Sequence, residues 1–117
     1  MKEIKAYIQR SCVDRVVSAL QREGAPGITI VETHPVGYGY EPNYFDLDYE
    51  SKSPVDRYRH LRIVNLEVVC SDDDLERFIG AIEGTACTGS QGDGRIFVSE
   101  IVTAVRVRDG ARGREAL

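Results

Sequence analysis

Apolar residues recur at positions i, i+3, i+4 and i+7 in two stretches of the chain, which predicts two amphipathic helices. Ser11 is placed as the N-cap of the first helix, with Asp14 three residues later, and Gly24 is placed at its end. Ser71 opens the second helix, and the aspartates that follow it suit the positive end of a helix dipole. The apolar positions are Val13, Val16, Val17 and Leu20 in the first helix and Leu75, Phe78, Ile79 and Ile82 in the second.

Segments rich in isoleucine and valine flank both helices and predict four strands, at residues 2–9, 27–34, 61–70 and 95–107. The order is β-α-β, a long insertion, and β-α-β again. This order predicts an α+β fold, a ferredoxin-like βαββαβ sandwich with both helices on one face of an antiparallel sheet. The opposite face would carry apolar side chains from four strands, so we expect it to meet other copies of the chain in a closed oligomer.

Length and charge restrict the classes of protein that the chain can represent. The 117 residues suit a single domain, 1–117. A net charge of −4 disfavours nucleic acid or a membrane surface as a partner recognised by bulk electrostatics. No apolar run reaches the roughly 18–20 residues that span a bilayer, and no signal peptide opens the chain. Three cysteines without C-x-x-C spacing indicate free thiols in a cytoplasmic protein, and two histidines alone do not predict a metal site.

The insertion at residues 37–60 is too long for an inert connection in a compact domain. It is polar and carries charges of both signs, but it also contains six aromatic residues. This composition predicts a recognition loop that contacts a partner. The aromatic residues are Tyr38, Tyr40, Tyr44, Phe45, Tyr49 and Tyr58.

Residues 88–98 read Thr-Gly-Ser-Gln-Gly-Asp-Gly-Arg-Ile-Phe-Val and predict a phosphate-binding loop that leads into a strand. Gly89, Gly92 and Gly94 allow left-handed backbone and close approach of a ligand, and successive amides in such a loop can form an anion-binding concavity. Arg95 adds a guanidinium suited to phosphate oxygens. The pattern is neither a Walker A loop nor a Rossmann fingerprint. On spacing alone, a simple hairpin turn is the alternative.

The same run, with Ile101 three positions later, resembles the C-terminal signature of the PII signal-transduction family. The similarity extends over nearly the whole chain, although residues 40–60 do not match. The resemblance implies a homotrimer that binds an adenine nucleotide (ADP, AMP or ATP) between subunits. It also implies a T-loop at 37–60, a B-loop at 87–95 and a C-terminal loop at 108–117. The other matching segments are Met1–Ile8, Gly27–Thr29, Gly37–Gly39, Leu66–Val69 and Val105–Arg108.

Two arginines near the end of the chain support phosphate binding. Arg106 and Arg108 alternate with valines, so both should point to one side of the predicted last strand, where an anion would offset the cost of their burial. The resemblance places other residues near the base and ribose or around the phosphates. The complete predicted nucleotide site is Thr29, Gly37, Tyr38, Gly39, Glu67, Val69, Thr88, Gly92, Asp93, Gly94, Arg95, Arg106 and Arg108.

Several positions depart from the family pattern in ways that disfavour 2-oxoglutarate as a second ligand. Glu41 stands where the family has a glutamine that helps hold Mg²⁺ and 2-oxoglutarate, so the role of Mg²⁺ stays open. Ile63 stands where the family has a lysine that pairs with 2-oxoglutarate. The sequence is more similar to carboxysome- and bicarbonate-linked PII-like proteins. A small anion such as bicarbonate would then meet a second site that includes Tyr40, Glu41, Arg59 and Arg62.

Three functions follow from these patterns. The first is a non-catalytic sensor whose T-loop responds to nucleotide and bicarbonate and engages an unidentified protein target in inorganic-carbon metabolism or transport. The second is a nitrogen-regulatory PII protein that senses ATP, ADP and 2-oxoglutarate. The third is a small phosphate-cleaving enzyme, which is disfavoured because Asp93 is the only candidate carboxylate beside the loop.

Overall fold

A computed structural model of the protein describes residues 1–36, 63–90 and 92–117. These residues form a four-stranded sheet and two α-helices. The strands are β1 (Lys2–Gln9), β2 (Thr29–Thr33), β3 (Ile63–Cys70) and β4 (Gly94–Glu100). The helices are α1 (Val13–Arg22) and α2 (Leu75–Ala86).

The strand order in the sheet is β2-β3-β1-β4, and every neighbouring pair is antiparallel. Strand β1 therefore lies in the interior, with β3 on one side and β4 on the other. This arrangement confirms the predicted ferredoxin-like α+β fold. The predicted insertion at 37–60 lies outside the described residues, between β2 and β3.

The hydrophobic core lies between the sheet and the two helices. On β1, Ile4, Ala6 and Ile8 alternate with less buried residues, as expected for a strand with one face on the core. Phe78 of α2 is fully buried against them and is among the largest core side chains. The helical apolar pattern is confirmed, since its members are either buried or packed against this core. Neither described helix is long and apolar enough to cross a bilayer.

The helix ends agree with the prediction in part. Gly24 has φ +85° and follows the last turn of α1, where the Ala25 amide donates to the Leu20 carbonyl at 3.0 Å. The predicted N-cap at Ser11 is wrong. Ser11 lies within a 3₁₀ turn, Arg10–Cys12, which carries the chain directly from β1 into α1.

Strand β4 ends at Glu100, so the predicted strand over 95–107 is too long. The reason is the length of its only neighbour. Glu100 pairs with Lys2, the first residue of β1, and the Ile101 amide donates to the Met1 carbonyl at 3.0 Å. Beyond this point β1 offers no further backbone partner to an edge strand.

Residues 105–112 form a separate hairpin instead of continuing β4. Val105 bridges Arg112, and the Arg106 amide donates to the Ala111 carbonyl at 2.8 Å. Gly110, with φ +72°, completes the turn. Arg106 and Arg108 therefore do not lie on a buried strand, and that prediction is wrong.

The sheet face opposite the helices combines apolar and polar side chains. Because antiparallel partners share a face, the pairing register assigns the odd-numbered residues of β1 to it. Each strand contributes an apolar or aromatic side chain, as predicted, but charged and amide side chains lie among them. This open face includes Tyr7, Val31, Val69 and Phe97 together with Glu3, Lys5, Asn65 and Glu67.

A substitution at Gly94 tests whether the close approach of β4 to β1 requires a glycine. It has φ +112°, and a Cβ atom there would lie 1.7 Å from the Tyr7 carbonyl oxygen. We expect Gly94→Ala to lower the free energy of unfolding by about 2–5 kcal/mol, from left-handed strain of ~1–2 and overpacking of ~1–3. Gly110→Ala is the matched control, since Gly110 also has positive φ but open space around it. Urea denaturation measures the free energy of unfolding of both variants. Equal losses of stability in Gly94→Ala and Gly110→Ala would contradict a close-approach role for Gly94.

Candidate functional site

The glycine-rich loop connects the end of α2 to the start of β4. The Cys87 amide donates to the Glu83 carbonyl at 3.1 Å and closes the helix. A turn then carries the chain to Gly94, where β4 begins beside Ile8 of β1. Both ends of the loop are therefore held by regular structure. The sequence predicted this for the end that leads into β4.

Asp93 organises the interior of this loop. Its carboxylate accepts hydrogen bonds from the Thr88 amide at 2.6 Å, the Gly89 amide at 2.9 Å and the Ser90 hydroxyl at 3.1 Å. The Thr88 hydroxyl also donates to it. The hydrogen bonds from Thr88, with those from Ser90 and Gly89, lower the pKa of Asp93 to about 2.

This arrangement limits what Thr88 and Asp93 can do. A phosphate could take the Thr88 and Gly89 amides only by displacing the Asp93 carboxylate. A carboxyl group with a pKa of about 2 is also a weak general base at neutral pH. Asp93 thus shapes the loop, and it does not provide the base that a phosphate-cleaving enzyme would need.

A cleft of about 390 Å³ lies between α2 and the start of β4. Its walls are apolar and include Ile8, Ile79 and Ile82. Asp93, Gly94 and Arg95 also line it, together with Cys87. The structure therefore brings the last part of the predicted B-loop to the edge of an open cavity.

A second cleft, of about 310 Å³, contains the residues predicted to lie near the base. Thr29 of β2 pairs with Glu67 of β3, and Val69 lies two residues further along the same strand. Gly27, Glu3 and Leu117 also line the cleft. The structure brings Thr29, Glu67 and Val69 together, as the resemblance implied.

Sequence reasoning missed three residues around this second cleft. Glu3 pairs with Val69, so strand register could have revealed it once the topology was known. The Asn65 amide donates to Glu67 Oε1 at 3.0 Å, while its own Oδ1 is buried and has no hydrogen-bond partner. Leu117 gave no sequence signal because only the folded C-terminal turn carries it to the cleft.

Both clefts reach the central strand β1, at Ile8 in the first and at Glu3 in the second, but Thr29 and the B-loop belong to different edges of the sheet. Thr29 is on the edge strand β2, and Arg95 is on the edge strand β4. Three strand spacings of about 4.8 Å separate these edges, roughly 14 Å in all. Among the described residues of one copy, Thr29 and the B-loop therefore lie at separate edges of the sheet.

The C-terminal arginines have a local partner. The Arg106 guanidinium forms a two-pronged ion pair with Asp109, with Nη2 2.7 Å from Oδ2 and Nε 3.0 Å from Oδ1. This pair raises the pKa of Arg106 and lowers that of Asp109. Arg108 is 80% exposed, and its Nη2 is 3.9 Å from Asp109. An anion is therefore not required to offset their charge, and their role at phosphate stays a prediction.

Seven predicted residues lie outside the described residues, and their roles stay predictions. Ile63, in contrast, is described and is 4% exposed at the start of β3, where it offers no charge to a ligand. The residues outside the description are Gly37, Tyr38, Gly39, Tyr40, Glu41, Arg59 and Arg62.

Comparison with known proteins gives one consistent family. The profile described as "Nitrogen regulatory protein P-II" matches residues 1–111. A protein of that name from Bradyrhizobium diazoefficiens is 41% identical over 117 residues and covers the whole of both chains. "Nitrogen regulatory protein P-II 1" from Methanothermobacter thermautotrophicus is 38% identical over 119 residues, covering 100% of this chain and 97% of that protein. The protein from Azospirillum brasilense is 38% identical over the full length of both.

The hydrogen bonds of Asp93 can be tested by nuclear magnetic resonance. Its carboxyl signal should titrate with a midpoint near 2, well below the ordinary 3.8, because the bonds favour the ionised form. The stabilisation is therefore present above about pH 4 and is lost as the pH falls towards 2. At neutral pH, Asp93→Ala should accelerate hydrogen exchange of the Thr88 and Gly89 amides, and Asp93→Asn, which keeps one acceptor, should have a smaller effect. A midpoint near 3.8 would refute this account.

Proposed function

The chain belongs to the P-II family of signal-transduction proteins, and from that premise we propose a trimeric sensor that binds adenine nucleotide between neighbouring copies. Members of this family are non-enzymatic regulators. The Asp93 geometry agrees with that class, since the carboxylate beside the loop is already fully engaged. The free thiols of Cys12, Cys70 and Cys87 suit the reducing cytoplasm.

The separation of the two clefts carries this proposal. Thr29 and the B-loop belong to different edges of the sheet, and on this proposal each contributes one half of a nucleotide site. In a closed ring, the Thr29 cleft of one copy faces the B-loop of the next. The base would then lie near Thr29 and Val69, and the phosphates near Arg95.

The open face of the sheet supports a trimer. Neither of the two described helices covers it, and Phe97 and Val31 are exposed on it. Packing against neighbouring copies would shield the exposed side chains of Phe97 and Val31.

Phosphate recognition rests on Arg95 and on the C-terminal hairpin. Arg95 is the second residue of β4 and lies beside the cleft that Asp93 and Gly94 also line. Arg108 is the more exposed of the two hairpin arginines. Arg106 would have to exchange Asp109 for phosphate, which makes it the weaker candidate.

Bicarbonate is the second ligand that we propose, with the T-loop at 37–60 as the segment that contacts a protein target in inorganic-carbon metabolism or transport. The supporting residue is Ile63, whose buried aliphatic side chain cannot pair with a carboxylate of 2-oxoglutarate. Glu41 would repel that dianion as well, whereas Arg59 and Arg62 would attract a small anion. The names of the relatives favour the alternative, a nitrogen-regulatory protein that senses 2-oxoglutarate.

A mixing experiment tests whether the nucleotide site lies between copies. Arg95→Ala damages the loop half and should weaken ADP binding about ten- to a hundredfold, the loss of one charge-assisted contact of roughly 1.5–3 kcal/mol. Val69→Phe should block the Thr29 cleft. In mixed trimers of the two variants, about one quarter of the sites combine two intact halves. Calorimetry should then recover about one quarter of the wild-type ADP stoichiometry at wild-type affinity.

Two controls show whether the variants still assemble and whether the loss of ADP binding is specific to the site. Light scattering should give three times the 13.0 kDa mass of one copy for each preparation. Arg22→Ala, on the exposed side of α1, should leave ADP binding unchanged. Mixed trimers that recover no binding would place the whole site within one chain, and a wild-type protein that binds no adenine nucleotide would end the proposal.

The identity of the second anion follows from linkage. If bicarbonate and nucleotide prefer the same T-loop conformation, each must change the affinity of the other by the same factor, commonly 5- to 150-fold. We expect the ADP affinity to change in bicarbonate and to stay constant in 2-oxoglutarate. The effect of each anion on nucleotide affinity is measured by titrating ADP, and separately ATP with Mg²⁺, at a fixed concentration of bicarbonate or of 2-oxoglutarate. Tightening of ATP by 2-oxoglutarate alone would establish the nitrogen-regulatory alternative.

A further inference from the structure

A side chain outside the B-loop contacts the loop at one of its glycines, Gly92. Gln9, the last residue of β1, donates from Nε2 to the Gly92 carbonyl at 3.1 Å. The two residues are 83 positions apart in the chain, and the contact is partly buried. A Cβ atom on Gly92 would lie 3.4 Å from the same nitrogen, so the amide lies directly against the loop backbone.

This hydrogen bond fixes the orientation of one peptide group. The Gly92 carbonyl and the Asp93 amide belong to the same planar unit and point in opposite directions. Gln9 holds the carbonyl end, while the Asp93 amide donates to the Ser90 carbonyl at 3.3 Å. The peptide is therefore held at both ends.

Without Gln9, only the hydrogen bond from Asp93 to Ser90 would oppose rotation of this peptide. Glycine has access to both hands of backbone conformation, and Gly92 has no side chain to resist a flip. A flip would turn the Gly92 carbonyl oxygen away from β1, and on the proposed function its negative end would then repel the phosphates. It would also break the hydrogen bond between Asp93 and Ser90.

We propose that Gln9 is a positioning residue for the B-loop, which keeps the Gly92 carbonyl turned towards the sheet and so makes the loop receptive to phosphate. This inference rests on the proposed nucleotide function for its consequence, but the positioning itself is a property of the ligand-free protein. The side chain acts through the Gly92–Asp93 peptide and does not touch the ligand.

The first measurement needs no nucleotide. In Gln9→Leu, the amide of Asp93 should exchange with solvent at least severalfold faster than in the wild type, because the peptide is then held only by Ser90. Gln21→Leu replaces the same residue type on the exposed side of α1 and should leave that rate unchanged. An unchanged Asp93 exchange rate in Gln9→Leu would overturn the positioning role.

The second measurement uses adenosine and ADP as paired probes. Loss of one neutral hydrogen bond should weaken ADP about two- to twelvefold in Gln9→Leu. Gln9→Glu should weaken ADP further, since a carboxylate cannot donate to the carbonyl and adds negative charge. Adenosine lacks phosphate, so its affinity, followed by ligand-observed resonance, should not change in Gln9→Leu.

The outcomes separate this inference from the function on which it rests. Equal weakening of adenosine and ADP would indicate general damage and would overturn the inference. Unchanged ADP affinity in Gln9→Leu, with a wild type that binds ADP, would overturn it too. Failure of the wild type to bind ADP would refute the proposed function, and the exchange rate of Asp93 would then decide the positioning role alone.

Discussion

The pairing of β1 on both of its edges is the constraint on which the rest of the structure depends. Its eight residues pair with β3 on one side, and seven of them pair with β4 on the other. Its alternate side chains, Ile4, Ala6 and Ile8, form the floor of the core under both helices. The start of β1 also sets the end of β4 at Glu100. Its other end supports the B-loop through Tyr7 and Gln9.

The same pairing separates the two halves of the candidate site. Because β1 and β3 occupy the interior, the segments after α1 and after α2 must join opposite edges of the sheet. Thr29 and the B-loop are then held at different edges of the sheet, with β3 and β1 between them. On the proposed function, assembly and ligand binding have one physical cause, since a neighbouring copy both covers the open face and completes the site.

Two charged residues of the candidate site, Asp93 and Arg106, are already engaged by groups close to them in the chain. Asp93 satisfies the first amides of the loop and so behaves as an internal anion that forms the turn before any ligand binds. Such preorganisation reduces the entropy that binding must overcome. Asp109 has the corresponding effect on Arg106, which it holds within the C-terminal hairpin. Neither interaction involves a residue far away in the chain, yet neither was evident without the backbone conformation.

The sequence by itself determined the two helices, the order of helices and strands along the chain, and the glycine-rich loop, because each depends on periodicity or on backbone freedom that residue types carry locally. Val16, Leu20, Phe78 and Ile82 are buried at the predicted spacing. Only the tertiary structure decided where β4 ends, since that limit is the length of its neighbour. Only the tertiary structure revealed Gln9 beside Gly92, 83 residues apart, because strand register and close approach bring together residues that share no sequence pattern.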